Sequence, residues 1–388
     1  MMKVKITPDE CIGCTACLHS CPKNAINIKM NNEGFLCAHI NQDKCVDCGI
    51  CINVCPVQQK TELDTQTFKN AYACYIKNTD IQRISTSGGV FYSIAKAVLN
   101  ENGKVYGATM DKNLKVKHIL IEKVQDLHKI QGSKYIQSEL SDVFVQIKKF
   151  LENGQYVLFS GTGCQVAGLK QYLKNDYQNL LTVDLICHGI PSPGLFADYI
   201  TYLEKKNHGK ITSYKFRQKN PNQEQSYDTK IEFLKNNSIV EKTISGDDDP
   251  YTINYLQNTL QNNECFKCKY ASLNRVSDIT LGDYWGINEM HPEFANGNSV
   301  SLVLLNTDKA LVLWDNINSD LEFIPTDKEK ILKHNHQLSK PAPYNSRREA
   351  IYSNYSAGKF NTKFYNKYFL GKALSIYLLK RKIKKLLR

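Results

Sequence analysis

The chain has 388 residues, 42% of them hydrophobic and 23% charged, a length and balance that suit two or three folded domains and exclude a disordered polypeptide. No apolar run approaches the roughly eighteen residues of a membrane span, and the ten residues before Cys11 lack a signal-peptide core, so a cytoplasmic location is expected. Of the net charge of +12, seven basic residues and no acidic one lie between Lys372 and Arg388, which leaves the rest of the chain too mildly basic for a nucleic-acid-binding body.

An internal repeat comes first along the chain. Cys11, Cys14, Cys17 and Cys21 recur thirty-four residues later as Cys45, Cys48, Cys51 and Cys55, and each set is closed by a proline, Pro22 and Pro56. Between the copies, Ala25 to Met30 and Phe35 to Ile40 alternate as short strands around the turn Asn31-Asn32-Glu33-Gly34, which predicts a hairpin. Gln58 to Asn70 is polar and linker-like. A strand follows over Ala71 to Lys77, then a helix from about Val90 to Glu101 and strands near Lys104 to Met110 and Val116 to Glu122. The alternation continues with a helix over Leu140 to Glu152, a buried strand over Tyr156 to Phe159, a helix opening near Cys164, a strand over Leu181 to Cys187 and a helix over Pro193 to Lys206. This pattern predicts an α/β domain. Beyond Ile211 the pattern is strand-rich, at Ser213 to Arg217, Lys230 to Leu234 and Val240 to Ile244, and leads to Cys265 and Cys268. The segment Tyr368 to Arg388 spaces apolar residues at helical intervals among lysines and arginines. Such a basic amphipathic helix either lies on an anionic inner membrane surface as a peripheral contact or docks on the body with its basic face in solvent.

The doubled C-x-x-C-x-x-C-x-x-x-C-P spacing resembles that of bacterial ferredoxins with two 4Fe–4S clusters. Three close thiolates wrap three corners of a cubane and the fourth arrives from the other copy. Cys11, Cys14, Cys17 and Cys55 are thus expected to hold one cluster, and Cys45, Cys48, Cys51 and Cys21 the other. Zinc sites do not use this triple spacing.

Six cysteines lie outside the repeat. Cys37 and Cys74 fall in strands, where buried free cysteine is common. Cys265 and Cys268 form a C-x-x-C that needs two partners, and Cys164 and Cys187, each at a strand end or helix start, are best placed to complete it. Four thiolates there suit a third 4Fe–4S cluster, with a zinc site or no metal as the alternatives. Three glycine turns stand nearby: Ser85 to Gly89, Gly132 to Tyr135 with Lys134, and Ser160 to Gly163. Each can offer backbone N–H groups to a pyrophosphate, or can be mere connection. Neither a Walker A nor a G-x-G-x-x-G motif is present.

Taken in order, Ser87-Gly88-Gly89-Val90, Gly132-Ser133-Lys134-Tyr135, Gly161 to Leu169, Cys187-His188-Gly189-Ile190-Pro191-Ser192-Pro193, Cys265-Phe266-Lys267-Cys268 and Ser277 to Gly286 resemble the coenzyme F420 hydrogenase/dehydrogenase beta-subunit family. The resemblance runs from about Asn70 to Ile287. It implies an α+β ferredoxin module (1–60), an α/β flavin-binding domain in two parts (68–145 and 150–325), and a C-terminal extension with the basic helix (326–388). It also implies an FAD-dependent oxidoreductase that couples one-electron transfer through clusters to hydride transfer with coenzyme F420 or another small organic molecule. Ferredoxin or another redox protein would be its partner. Ser87, Gly88, Gly89, Ser133, Lys134, Tyr135, Gly161, Thr162 and Gln165 become the flavin-binding residues, and Cys164, Cys187, Cys265 and Cys268 the ligands of the third cluster. His188 either donates to substrate or flavin or simply bonds a carbonyl, and Asp283 and Trp285 shape the pocket. The family's turn before Cys164 more often carries proline where Gly163 stands here. An electron-relay subunit without a substrate pocket is the competing reading, and an assembly or redox-sensing platform is a third.

Overall fold

In the computed structural model, which describes residues 10–59, 67–219, 227–295, 299–371, 374–376 and 379, the cysteine repeat is a repeat of conformation as well as of spacing. Gly13 and Asp47 (φ 69° and 51°) turn the chain between the first two cysteines of each set, and Thr15 and Gly49 (φ 65° and 74°) between the next two. The latter pair start α1 (Ala16–Ser20) and α2 (Ile50–Asn53). Between them β1 (Ile26–Met30) and β2 (Leu36–Ile40) form the hairpin, Ile26 opposite Ile40.

The larger body alternates β3 (Asn70–Ile76), α3 (Thr79–Ile84), α4 (Val90–Asn100), β4 (Lys104–Met110), β5 (Val116–Ile121), α5 (Val143–Glu152), β6 (Val157–Thr162), α6 (Gly163–Leu173), β7 (Leu180–Leu185) and α7 (Pro193–Asn207). Three antiparallel strands, β8 (Lys210–Lys219), β9 (Tyr227–Lys235) and β10 (Ser238–Ser245), then form a separate sheet, followed by α8 (Pro250–Leu256). The chain returns with β11 (Ile279–Asp283), α9 (Ile287–Met290), β12 (Ser301–Leu305), α10 (Asp308–Ile317), β13 (Leu321–Pro325) and α11 (Lys328–His334), and ends in α12 (Arg347–Tyr352) and α13 (Thr362–Phe364).

The eight-stranded sheet has the order β13-β3-β12-β11-β7-β6-β4-β5. Strands β4, β6, β7 and β11 are parallel, while β5 and β12 run against them. Strand β3 is antiparallel to β12 and so points the same way as the parallel four. Five carboxyl ends therefore meet at one edge, where open α/β sheets gather ligands. The central runs Val157-Leu158-Phe159 and Leu180 to Val183 are buried, as strands covered on both faces require. Helix α4 packs on the sheet through Val90, Ile94, Val98 and Leu99, spaced at helical intervals. Strands from 68–145 and from 150–325 share this single sheet.

The ferredoxin module is fastened to the body by backbone groups. Gln137 donates from Nε2 to the Ile12 and Leu36 carbonyls, each at 2.9 Å, and accepts from the Leu36 N–H at 2.7 Å. Tyr270 donates to the Pro56 carbonyl at 2.8 Å and Asn262 to that of Cys11 at 3.0 Å. Gly34 and Gly194 approach so closely that a Cβ on Gly194 would lie 2.8 Å from the Gly34 Cα. Arg348 pairs with the Glu33 carboxylate and stacks over Tyr352 at 4.4 Å, which ties the hairpin turn to the C-terminal extension.

The expected basic helix over Tyr368 to Arg388 falls partly on residues 372–373, 377–378 and 380–388, outside the described ones. Its described start is a π-helical turn, Tyr365–Leu370, with Phe369 fully buried against Tyr199 (5.2 Å) and Phe360 (5.3 Å). That start docks on the body. Among the described residues no helix is long and apolar enough to cross a membrane.

Candidate functional site

The crossing of the two cysteine sets is visible in their surroundings. Cys21, Cys45, Cys48 and Cys51 line one cavity of about 20 Å³. Cys55 instead lies close enough to raise the thiols of Cys11, Cys14 and Cys17, although burial is the larger cause at each. Cys14 and Cys17 are buried, whereas Cys48 is exposed. The first set is thus the more deeply covered, and the second exposes Cys48 while Cys51 stays buried. Two backbone groups, the N–H of Ala38 (3.3 Å) and of Gly13 (3.4 Å), donate to the Cys11 sulfur, as charged sulfur requires.

Cys164, Cys187, Cys265 and Cys268 line a second cavity of about 80 Å³, closed on the module side by Ile12, Pro56 and Val57. Cys164 is the second residue of α6, Cys187 stands two residues past β7, and Cys265 lies within the 3-10 turn Asn263–Lys267 after α8, with Cys268 closing it. Burial pushes all four thiols up, Cys187 to about 11, and the cysteines raise one another. Gly189 N–H donates to Cys187 at 3.3 Å, Ile190 N–H to Cys265 at 3.4 Å, and Thr162 Oγ1 lies 3.1 Å from Cys164. Four half-buried thiols thus share one cavity with these donors. Among the described residues no group of three or more His, Cys, Asp or Glu side chains is arranged to hold a single metal ion. Cys37 and Cys74 are buried in β2 and β3, apart from these sets.

A third and larger cavity, about 380 Å³, lies at the carboxyl ends of the strands. Ser87, Gly89, Ser133, Lys134, Tyr135, Gly161, Thr162, Gln165, His188, Asp283 and Trp285 all line it. Gly88 does not. Its N–H donates to Ser301 Oγ at 2.9 Å, and a Cβ there would lie 2.4 Å from the Cys74 carbonyl oxygen, so glycine is required by close packing of the backbone on β3. Gln165 lines the cavity with its amide already committed: Oε1 accepts from Thr162 N–H at 3.0 Å and Nε2 donates to Ser138 Oγ at 2.9 Å. The first two glycine turns meet through Ser133 and Thr86 hydroxyls at 3.3 Å. Lys134 donates to the Gln131 carbonyl at 2.8 Å, and desolvation pulls its ammonium down to about 7.

Several lining residues carry no motif. His118 bonds the Ser160 carbonyl through Nε2 at 2.9 Å, is kept neutral by burial, with its pKa near 4, and its buried Nδ1 has no hydrogen-bond partner. Asn335 donates to the Asp283 carbonyl at 2.9 Å, and its buried Oδ1 is likewise unpartnered. Arg217 forms a half-buried pair with Asp283 at 2.7 Å, 5.9 Å from the Trp285 ring. Gln337 Nε2 lies 3.2 Å from His188 Nδ1. Burial lowers His188, and its buried Nε2 has no hydrogen-bond partner. Tyr135 stacks on Tyr255 at 4.2 Å. These side chains come from β5, β8, α8 and the segment after α11, each as a single polar or aromatic residue in an ordinary pattern, so spacing gave no signal for them.

Residues 154–329 match the profile for the C terminus of the coenzyme F420 hydrogenase/dehydrogenase beta subunit, and residues 4–63 match the 4Fe-4S dicluster domain. The first of these likenesses covers a little under half of the chain. The family segment carries all four cysteines of the second cavity, while Ser87, Gly89 and Lys134 precede it and Asn335 and Gln337 follow it. No curated protein matches the chain. Among solved structures, one of the F420-reducing NiFe hydrogenase complex from Methanosarcina barkeri, a xenon derivatization study, aligns at 16% identity, covering 70% of this chain and 91% of that chain with a TM-score of 0.44.

Proposed function

We propose that the protein is an iron–sulfur flavoprotein oxidoreductase that couples one-electron transfer at 4Fe–4S clusters to flavin-mediated hydride transfer with coenzyme F420 or another small organic donor or acceptor. Ferredoxin or a similar redox protein is its partner, and the reducing cytoplasm, where thiols persist, is its location. One observation carries this reading. The four-thiol cavity and the large cavity share Thr162, Leu185, Cys187, His188, Gly189, Ile190 and Gln337 as walls, and the ferredoxin module closes the four-thiol cavity from the other side through Ile12 of the first cysteine loop and Pro56 and Val57 after Cys55.

Cys164, Cys187, Cys265 and Cys268 would hold the third cluster. FAD would occupy the large cavity, whose volume of about 380 Å³ suits a sizeable ligand. Bound there, the flavin supplies the exchange of a hydride for single electrons. The N-terminus of the eleven-residue α4, at Gly89, and the Lys134 ammonium, which has no ion pair among the described residues, would face the pyrophosphate. The unpartnered His118 Nδ1 and Asn335 Oδ1 are buried polar groups of the kind a ligand satisfies. Gln337, donating to Nδ1, leaves the His188 proton on Nε2 and keeps the ring neutral as a fixed wall of the substrate space.

The test is anaerobic reconstitution with FAD followed by flavin absorbance. Retention of about one flavin per chain, bleached by reduced F420 or NAD(P)H, is expected for a two-electron flavin site. Failure to retain flavin overturns the reading. Bleaching by dithionite alone replaces it with an electron relay.

A further inference from the structure

A buried ion pair on the wall of the four-thiol cavity has no part in the function described so far. Arg275 and Asp184 are 2% and 0% exposed, with Nη2 2.6 Å from Oδ2. Such a pair gains little stability over an apolar pair of the same size, because both charges must be stripped of water. Its position suggests another use. Asp184 lies in β7 just before Cys187, and Arg275 follows Cys268 on the next loop.

The guanidinium is fully engaged. Its Nε donates to Thr280 Oγ1 at 3.2 Å, Nη1 to the Tyr270 and Ser272 carbonyls, and Nη2 also to the Leu185 carbonyl at 3.1 Å. Thr280 Oγ1 donates in turn to Asp184 Oδ1 at 2.6 Å. One side chain thus joins the strand leading to Cys187, the loop carrying Cys265 and Cys268, and β11. Gly163 makes room for it: a Cβ there would lie 3.1 Å from Asp184 Oδ2 and 3.6 Å from Arg275 Nη2. The glycine that replaces the more usual proline before Cys164 therefore sits directly over the pair.

Other charged groups line this cavity. Lys267 is paired with Glu264 at 3.8 Å and is largely exposed, and Lys269 reaches away to the Gln59 carbonyl. Arg275 is the buried cation among them, and it lines the cavity while Asp184 stands behind it, out of the lining.

We propose that Arg275 is a positioning residue for the third cluster: it fixes the loops that carry Cys187, Cys265 and Cys268, and its charge raises the cluster's reduction potential. This rests on the third cluster proposed above. Asp184 acts in the opposite sense and keeps the guanidinium in place.

The experiment is a redox titration of the anaerobically reconstituted full chain, followed by low-temperature EPR, for wild type, R275Q, R275K and D184N. R275Q should lower the third cluster's midpoint enough to change its reduced-to-oxidised ratio about tenfold at fixed potential, which is about 59 mV for one electron. D184N should raise it, R275K should stay near wild type, and the ferredoxin midpoints should not move. Shifts of the same sign in R275Q and D184N, or no shift in either, overturn the proposal, because a purely structural role has no reason to follow charge. If R275Q loses iron, the sign of the D184N shift decides. Wild-type protein showing only the two ferredoxin signals overturns the underlying reading as well, and is distinct from a third signal whose midpoint ignores these changes.

Discussion

The two copies of the cysteine repeat share their spacing and their left-handed turns, yet the first, inner copy packs its Cys14 against α6 while the second, outer copy leaves its Cys48 exposed. Gly168 of α6 shows the difference most clearly: a Cβ there would lie 3.0 Å from the Cys14 sulfur, while a Cβ on Gly49 in the outer loop would meet nothing within 4 Å. The same cysteine spacing therefore produces two unlike sites because the rest of the chain packs more closely on the first of them. Ile12 of the first loop adjoins the four-thiol cavity, whereas Cys48 of the second loop lies in the open.

The contrast breaks most completely at Gly168. Gly168→Leu should force the inner loop off α6 and lose about four irons per chain, the content of one cluster, in an iron assay. Gly49→Ala should keep all iron and cost only the left-handed backbone penalty of about 1 kcal/mol, seen as a small fall in Tm. Next in size, Gln137→Leu strands two carbonyls and an N–H at the inner loop, a loss of about 2–4 kcal/mol that should lower Tm and hasten iron release to a chelator. A smaller effect concerns pH. Lys134, with its pKa near 7, is charged below that pH and neutral above it, so flavin affinity should fall as pH rises through about 7 and protons should be taken up on binding above it. Flavin titrations of Lys134→Met should lose that slope. The smallest change is expected at the outer loop, where Val46 is 57% exposed: Val46→Ser should leave Tm within the reach of about 0.5 kcal/mol.

The same comparison explains how much could be learned from sequence. The ferredoxin cysteines were legible because their spacing is local, and the hairpin because alternation and turn residues agree. The existence of β6 and β7 was legible for similar reasons, although β6 runs three residues past the expected Phe159 and β7 stops two short of the expected Cys187. What sequence could not supply was contact between distant segments. Gln137 binds the inner loop from a stretch with no motif, and His118, Arg217, Asn335 and Gln337 reach the large cavity from four separate elements. Strands β11 to β13 are short, and β3 is inserted between β12 and β13 although it precedes them by some two hundred residues. Gly88 lay in the right motif, yet its N–H serves Ser301. Arg275 and Asp184, ninety-one positions apart, are ordinary charges until folding buries them together.

The central claim is that four cysteines from three segments hold a cluster of their own between the ferredoxin module and the large cavity. Iron per chain after anaerobic reconstitution, measured on wild type and on Cys268→Ser, tests it most directly. The account predicts about twelve irons in wild type and about eight in the variant, at four per cluster. About eight in both would contradict it.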